Sequence, residues 1–417
     1  PRAPPPALPL SRAPPQSSGA MRRACGHGAR CLGWLGPADR LPGVSAGAFT
    51  PAGRWPRPAP AVGPPAAQAD GEAVRRRAVV GAGRGFSSTA PPTAAAEPSL
   101  ALPQPLDQGL RGMGQVVFCN SPLSGALIAG GLCYGDPWLA GLAAAGCAAA
   151  TATARLAGMD RGAIGAGLMG YNGALVGCAF AVFLGSPAVE PALAATAAGG
   201  AASAFVTQAL GRVLTSVPQW TLAFNVTAIS ALAVVRPLGG ALPAQVPLAF
   251  SAFSPWDWCS SCLTGVSQIY VVNDPVAGAL VLAGIGAYSR GAALATVLGS
   301  ALGVGAAVLY GADGEEVKAG LWGFNPALTA LAVSVFFVPL GGSAVALACG
   351  GAVAAAFATV YIKDAFATAV QAPSCTVPFC LVASGCYLLA GRAPGLVLAV
   401  SPHSPEANLR AFRAARL

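Results

Sequence analysis

Three short polar signatures occur twice in this chain, in the same order. Gly114-Gln115-Val116 with Asn120-Ser121-Pro122 returns as Ser267-Gln268-Ile269 with Asn273-Asp274-Pro275. Gly170-Tyr171-Asn172 returns as Gly323-Phe324-Asn325, and Pro218-Gln219-Trp220-Thr221 with Phe224 returns as Pro373-Ser374-Cys375-Thr376 with Phe379. Gln115 and Gln268 stand 153 residues apart, as do Tyr171 and Phe324; Thr221 and Thr376 stand 155 apart. The residue types suit the handling of a solute. Gln115 and Gln268 offer both donor and acceptor groups, and each Thr offers a hydroxyl. Tyr171, Phe324, Phe224 and Phe379 offer flat apolar walls. Leu175 and Leu328, four residues after the aromatic, share its helix face.

The prolines add a second clue. Pro122, Pro275, Pro218, Pro373 and Pro378 fall at these signatures. Proline lacks an N–H and frees the carbonyl four residues earlier, so the signatures are expected to be helix breaks that bare carbonyls. Broken backbone at membrane depth is tolerated only where it lines a cavity. Carbonyls accept hydrogen bonds, so the solute should be rich in donors. An apolar slot edged with acceptors fits a small, planar, neutral amide. It fits a cation poorly, because Asp274 is the only carboxylate inside a repeated signature. Taken singly, each residue has a plainer explanation. An aromatic at helical spacing usually packs, a membrane Thr often bonds its own backbone, and a Gln can bridge helices. Packing, however, does not require polar identity to recur in register.

The elements that position these residues must lie in a bilayer. Of 417 residues, 54% are hydrophobic and only 9% are charged, against roughly 25% charged in soluble domains. That leaves too little polar surface for a soluble fold. Apolar runs of about 20 residues, enough to cross the hydrocarbon layer, recur from Leu123 to Leu389. The expected fold is an all-α polytopic membrane protein built from two inverted repeats, since a duplication in a membrane protein points to a transport path at the repeat interface. The first repeat is expected over 100–238, a connector over 239–262 and the second repeat over 263–391. Each repeat opens with a half-helix carrying the Gln signature. Spans follow at 123–135, 137–154, 162–184, 189–212 and 219–236, then at 276–289, 291–311, 319–339, 343–362 and 377–391. The connector carries Trp256 and Trp258, a pair suited to a membrane–water interface. Asp274 and Glu190, the acids nearest the apolar runs, are expected at an interface too.

Charge is concentrated outside this region. Residues 1–99 hold 12 Arg and 4 acids, 100–391 hold 8 basic and 10 acidic residues, and 392–417 hold 4 Arg and 1 acid. Basicity of the ends argues for a cytoplasmic side or an anionic lipid surface and not for nucleic acid. The loop of Arg155, Asp160 and Arg161 is net positive; its counterpart of Asp313, Glu315, Glu316 and Lys318 is negative. That contrast fits inversion, with the first loop in the cytoplasm. The first Met is Met21, so part of the stretch before it is expected to be upstream sequence. Residues 1–99 read as a disordered or targeting extension: Arg-rich, acid-poor and ending in Arg84-Gly85-Phe86-Ser87-Ser88-Thr89. The membrane expected is the plasma membrane, or an organelle membrane if residues 21–99 act as a transit peptide. Residues 392–417 form a basic C-terminal tail.

At the repeated signatures the chain resembles the urea transporter family, over about Leu106 to Leu389. Gly320-Leu321-Trp322-Gly323-Phe324-Asn325 and Gly167-Leu168-Met169-Gly170-Tyr171-Asn172-Gly173 resemble its central signatures, and the Gln and Thr motifs resemble its pore-forming segments. The resemblance implies passive, selective urea transport with no enzyme chemistry and no cofactor. It also implies about ten transmembrane helices plus two half-spanning pore helices, and a homotrimer with one pore per subunit in a lipid bilayer. By position, Gln115 and Gln268 match polar residues near the two ends of the filter. Val116 with Tyr171, and Ile269 with Phe324, match the pairs that form urea slots. Leu175, Leu328, Thr221 and Thr376 match the narrow centre. Two departures stand out. Leu222-Ala223-Phe224 lacks the proline that Val377-Pro378-Phe379 keeps, and Tyr171 stands where phenylalanine is more usual.

Other readings fare worse. Asn325-Pro326-Ala327 is an aquaporin-like tripeptide, but its partner position reads Asn172-Gly173-Ala174. An ammonium channel would want pore histidines, and the only two, His27 and His403, lie in the tails. Cys259-Ser260-Ser261-Cys262 has redox-motif spacing without the βαβ context, and a packed or disulfide-bonded loop pair is expected there. A proton-coupled symporter would need a titratable midplane acid. Gly81-Ala82-Gly83 starts like a phosphate-binding fingerprint, but Phe86 replaces its third Gly. No metal cluster is indicated.

Overall fold

The computed structural model describes residues 102–184, 188–235 and 253–416. The extension over 1–99, with its targeting reading, and the connector prolines Pro243 and Pro247 lie outside the described residues. Apart from isolated bridge positions at Asp313 and between Phe337 and Leu398, the described residues are helix, turn and loop. The first half runs α1 (Gln104–Gln115), α2 (Pro122–Gly135), α3 (Pro137–Leu156), α4 (Arg161–Gly165), α5 (Tyr171–Phe183), α6 (Val189–Val213) and α7 (Leu222–Val235). The second runs α8 (Pro255–Ser267), α9 (Pro275–Tyr288), α10 (Arg290–Tyr310), α11 (Gly314–Lys318), α12 (Phe324–Phe336), α13 (Gly342–Ala369) and α14 (Val377–Leu388). A last helix, α15 (Pro405–Ala414), follows.

The same local chemistry starts matching helices. Ser121 caps α2 through the Ser124 N–H, and Asp274 caps α9 through the Ala277 N–H. Asp136 and Ser289 cap α3 and α10, while Asp160 and Asp313 cap the short α4 and α11. Such caps satisfy backbone donors that a helix start leaves unpaired. Asp274 is therefore a cap, and Glu190 is an exposed acid in the first turn of α6.

Pro122, Pro275 and Pro378 do not interrupt helices. They sit in the first turn of α2, α9 and α14, where the missing N–H has no partner to lose. The breaks come instead from left-handed residues just before those helices. Phe118 (φ 59°) and Val271 (φ 64°) end the Gln segments, and Trp220 (φ 49°) and Cys375 (φ 45°) precede the two Thr residues. Left-handed φ is unfavourable for bulky side chains, so the surrounding packing must hold it four times.

The long helices α3, α6, α10 and α13 are each long and apolar enough to cross a membrane. The segment Pro255–Tyr270 and helix α9 pass the same test as a bent pair, turned by 72°. Helices α5, α7, α12 and α14 are apolar and shorter. The expected spans over 162–184 and 319–339 are thus shorter helices, preceded by the turns at Ala166–Gly170 and Ala319–Gly323. Helices α2 and α9 pack on each other across the halves; α3 packs on α5 and α6, as α10 packs on α12 and α13.

One expectation, that of a Cys259/Cys262 loop pair, needs correction. The connector expected over 239–262 gives way to helix at Pro255, where Ser254 and Asp257 form a reciprocal capping box. Cys259 and Cys262 lie on that helix and not in a loop, and both are free thiols. The basic C-terminal tail is also more built than its composition suggests. Val338 N–H donates to Val397 (2.8 Å) and Ala399 N–H to Phe336 (2.9 Å), laying Leu396 and Leu398 over α12 and α13. Glu406 on α15 then accepts from the Ser289 hydroxyl (2.6 Å) and the Gly291 N–H (2.7 Å).

A candidate solute path at the paired breaks

The ten residues singled out from the sequence fall on two sets of loops and helix starts. Gln115 ends α1 and Gln268 begins the short 3-10 turn after α8. Gln115 Nε2 donates to the Ala166 carbonyl at 2.8 Å, and Gln268 Nε2 donates to the Ala319 carbonyl at 2.8 Å. Both acceptors precede glycines with positive φ, Gly167 (76°) and Gly320 (73°). A Cβ on either glycine would meet backbone of residue 111 or 264 within 2.6 Å. This tight approach lets the carbonyl face the Gln, whose remaining polar atoms stay partly exposed.

Val116 and Ile269 are 1% and 2% exposed and belong to the apolar core. The partly exposed apolar members of these loops are Phe118 and Val271, at the left-handed positions. Leu175 and Leu328 are fully buried one turn into α5 and α12. Tyr171 and Phe324 start those helices. The Tyr171 hydroxyl donates to the Trp220 carbonyl at 2.5 Å, which ties the first break to α5. Phe324 has no hydroxyl; there the Cys375 carbonyl accepts from Asn325 Nδ2 at 3.5 Å.

Thr221 and Thr376 meet. Their hydroxyl oxygens are 2.7 Å apart although the residues are separated by 155 positions. Both are 3% exposed. Asn225 and Cys380, one turn further along α7 and α14, complete the cluster. Thr376 N–H and Oγ1 both lie 3.1 Å from Asn225 Oδ1. Asn225 Nδ2 lies 3.4 Å from Cys380 Sγ, and Cys380 Sγ lies 3.3 Å from Thr221 Oγ1.

Several of these groups were not picked out beforehand. Asn172 Nδ2 donates to Thr207 (3.0 Å) while its oxygen accepts the Phe224 N–H (3.1 Å). Asn325 repeats the pattern with Thr359 (3.1 Å) and Phe379 (3.3 Å). These amides pin the starts of α7 and α14, and their signal was their recurrence beside the aromatic. Phe118, Val271 and Trp220 had no such signal, because left-handed backbone at a bulky residue leaves no trace in residue type. Trp220 is the hub of a ring cluster with Phe118, Phe336, Phe379 and Tyr387, at centroid separations of 4.9–6.2 Å. Its indole N–H donates to Ser384 (2.9 Å).

A cavity of about 660 Å³ lies elsewhere, between α5, α6 and α7. Its lining, which includes Phe180, Ala195, Gly199 and Val226, contains none of the ten residues. This cavity and the paired breaks are thus separate places in the fold. Among the described residues no group of three His, Cys, Asp or Glu could hold a metal ion. What the breaks can do is offer acceptors and apolar faces to a neutral molecule.

The family model described as urea transporter matches residues 106–391. Urea transporter 1 of Ovis aries is 33% identical over 302 residues, covering 70% of this chain and 78% of the relative. Urea transporter 1 of Rattus norvegicus is 33% identical over 308 residues with the same coverage, and that of Mus musculus is 33% identical over 309.

Proposed function

The chain belongs to the urea transporter family, and on that footing we propose that it carries urea passively across a membrane, along the paired breaks. It is an integral membrane protein of a transporter family, and no chemical step is assigned to it. The observation that carries the path is the Thr221–Thr376 contact. Two sequence-distant helix starts, each preceded by a left-handed residue, bring their hydroxyls together.

In this reading Gln115 and Gln268 guard the two ends of the path. The faces of urea stack against Tyr171 on one side and Phe324 on the other. Val116 and Ile269 back the partly exposed Phe118 and Val271, which form the facing walls. Leu175 and Leu328 hold the narrow centre dry. Urea N–H groups move from one backbone carbonyl to the next, and the Thr hydroxyls lower the central barrier by replacing lost water.

The finer architecture is part of the proposal. The two halves, 100–238 and the stretch from α8 through residue 391, are inverted repeats that together hold about ten transmembrane helices, with α1 and α8 as half-spanning pore helices. The assembly is a homotrimer with one path per subunit. The membrane is the plasma membrane, unless residues 21–99 direct the chain to an organelle. The matched bonds of Gln115 and Gln268, and of Asn172 and Asn325, support the duplication. The test is urea flux into proteoliposomes followed by light scattering. Fast, saturable flux above protein-free vesicles is expected; its absence from folded protein would move the substrate to another small neutral solute.

A further inference from the structure

We propose that Asn225 fixes the proton order of the two central hydroxyls, with Cys380 only closing the ring, so that the centre offers only lone pairs and cannot relay a proton. The inference rests on the urea path proposed above. It starts from the one donor whose direction is not in doubt. Thr376 N–H can only donate, and it lies 3.1 Å from Asn225. The atom of Asn225 facing it is therefore the carbonyl oxygen, which turns the amide NH₂ toward Cys380 Sγ at 3.4 Å. That oxygen also receives the Thr376 hydroxyl at 3.1 Å. Thr376 has then given away its only hydroxyl proton, so in the 2.7 Å contact it must accept from Thr221. Thr221 in turn has spent its proton, and at 3.3 Å it accepts from the Cys380 thiol.

The four side chains close a ring with one sense: Cys380 to Thr221, Thr221 to Thr376, Thr376 to Asn225, Asn225 to Cys380. All four are at most 3% exposed, so water does not compete for these bonds. Each hydroxyl oxygen keeps one unused lone pair and no free proton. A passing molecule with N–H groups finds acceptors. A file of waters finds hydroxyls that accept but do not hand a proton on, and relay requires both. The sense of the ring depends on the asymmetry between the halves. Asn225 has a fixed acceptor and a fixed donor, while Cys380, its counterpart in the second half, is a weak donor and weak acceptor.

The experiment uses the full chain in proteoliposomes, with urea flux and proton leak read side by side, the latter from an entrapped pH-sensitive dye under an imposed pH gradient. Wild type should leak protons no faster than protein-free vesicles. Asn225→Leu frees the Thr376 proton and should raise the leak roughly three- to ten-fold, the factor carried by one ordinary hydrogen bond. Asn225→Thr gives the same result through a hydroxyl that can reverse the ring, and carries the test should the Leu variant not fold. Cys380→Ala leaves the Thr376–Asn225 bonds in place and should leak like wild type. A tight Asn225→Thr, or a Cys380→Ala that leaks as much as the Asn225 variants, would overturn the ring. Absent urea flux in wild type would instead fail the urea path, with the leak comparison still reading the ring.

Discussion

The half built from residues 104–235 and the half built from 255–388 share their breaks but lock them with different residues. In the first, the left-handed Trp220 is held by the Tyr171 hydroxyl, by Ser384 and by a cluster of aromatic rings. In the second, the left-handed Cys375 is held by one longer bond from Asn325. The same contrast recurs at the centre, where Asn225 faces Cys380. The shared features are the paired carbonyls, the helix starts and the Gln, Asn and Thr side chains at them. The features that differ are the side chains at Tyr171 and Phe324, Trp220 and Cys375, and Asn225 and Cys380.

The largest expected effect tests what the halves share. Helix α2 approaches α1 so closely that a Cβ on Gly125 would lie 1.8 Å from the Leu110 carbonyl oxygen, and a Cβ on Gly278 would lie 1.9 Å from that of Leu263. Backbone cannot yield as a side-chain tip can. Gly125→Ala and Gly278→Ala should each abolish folded protein or cost at least about 3 kcal/mol, read as recovery of monodisperse protein in detergent. Normal recovery of both would show that the approach is looser than described.

Next come the amide pins. Asn172→Leu removes bonds of 3.0 and 3.1 Å, and Asn325→Leu removes bonds of 3.1, 3.3 and 3.5 Å. Each leaves a buried N–H unpaired, at about 1–3 kcal/mol. The second-half variant should lower the thermal midpoint more, because it loses three bonds against two. Equal shifts would erase the proposed difference between the halves.

Exchanging the aromatics sharpens the comparison. Tyr171→Phe frees the Trp220 carbonyl and should cost about 1 kcal/mol, with urea flux altered by up to about tenfold. Phe324→Tyr should have the smaller effect on stability, since the Cys375 carbonyl already has a partner. Paired melting curves and flux traces read both.

The smallest effect lies outside the path. Burial alone would raise the Glu406 carboxyl, but bonds from Ser289 and the Gly291 N–H outweigh it and hold the group below its usual range. A depressed carboxylate contributes stability above its unfolded value and loses it as pH falls through the folded one. Acidification through that range should release α15 from α10, as faster proteolysis near Arg410, with urea flux little changed. No pH dependence would remove Glu406 from the docking.

Much of this was legible in the residues. The order of apolar runs and the recurrence of both Thr and both Gln follow from composition and periodicity, whereas the caps at Ser121, Asp136, Asp274 and Ser289 emerge only in the structure. The sequence attributes the breaks to proline, because proline is visible in a sequence and a left-handed phenylalanine is not. Val116 and Ile269 were read as path residues from position; they are buried, and their neighbours Phe118 and Val271 are the partly exposed ones. Asn225 escaped notice because its counterpart is a cysteine, and a search for recurrence passes over unlike pairs.

The most direct test of the central claim compares urea flux through wild type and the Thr221→Val/Thr376→Val double variant in proteoliposomes, at matched protein content. Valine keeps the shape and removes both hydroxyls, so the account predicts fast, saturable flux that collapses in the double variant. Undiminished flux in that variant would show that urea does not pass between the two threonines.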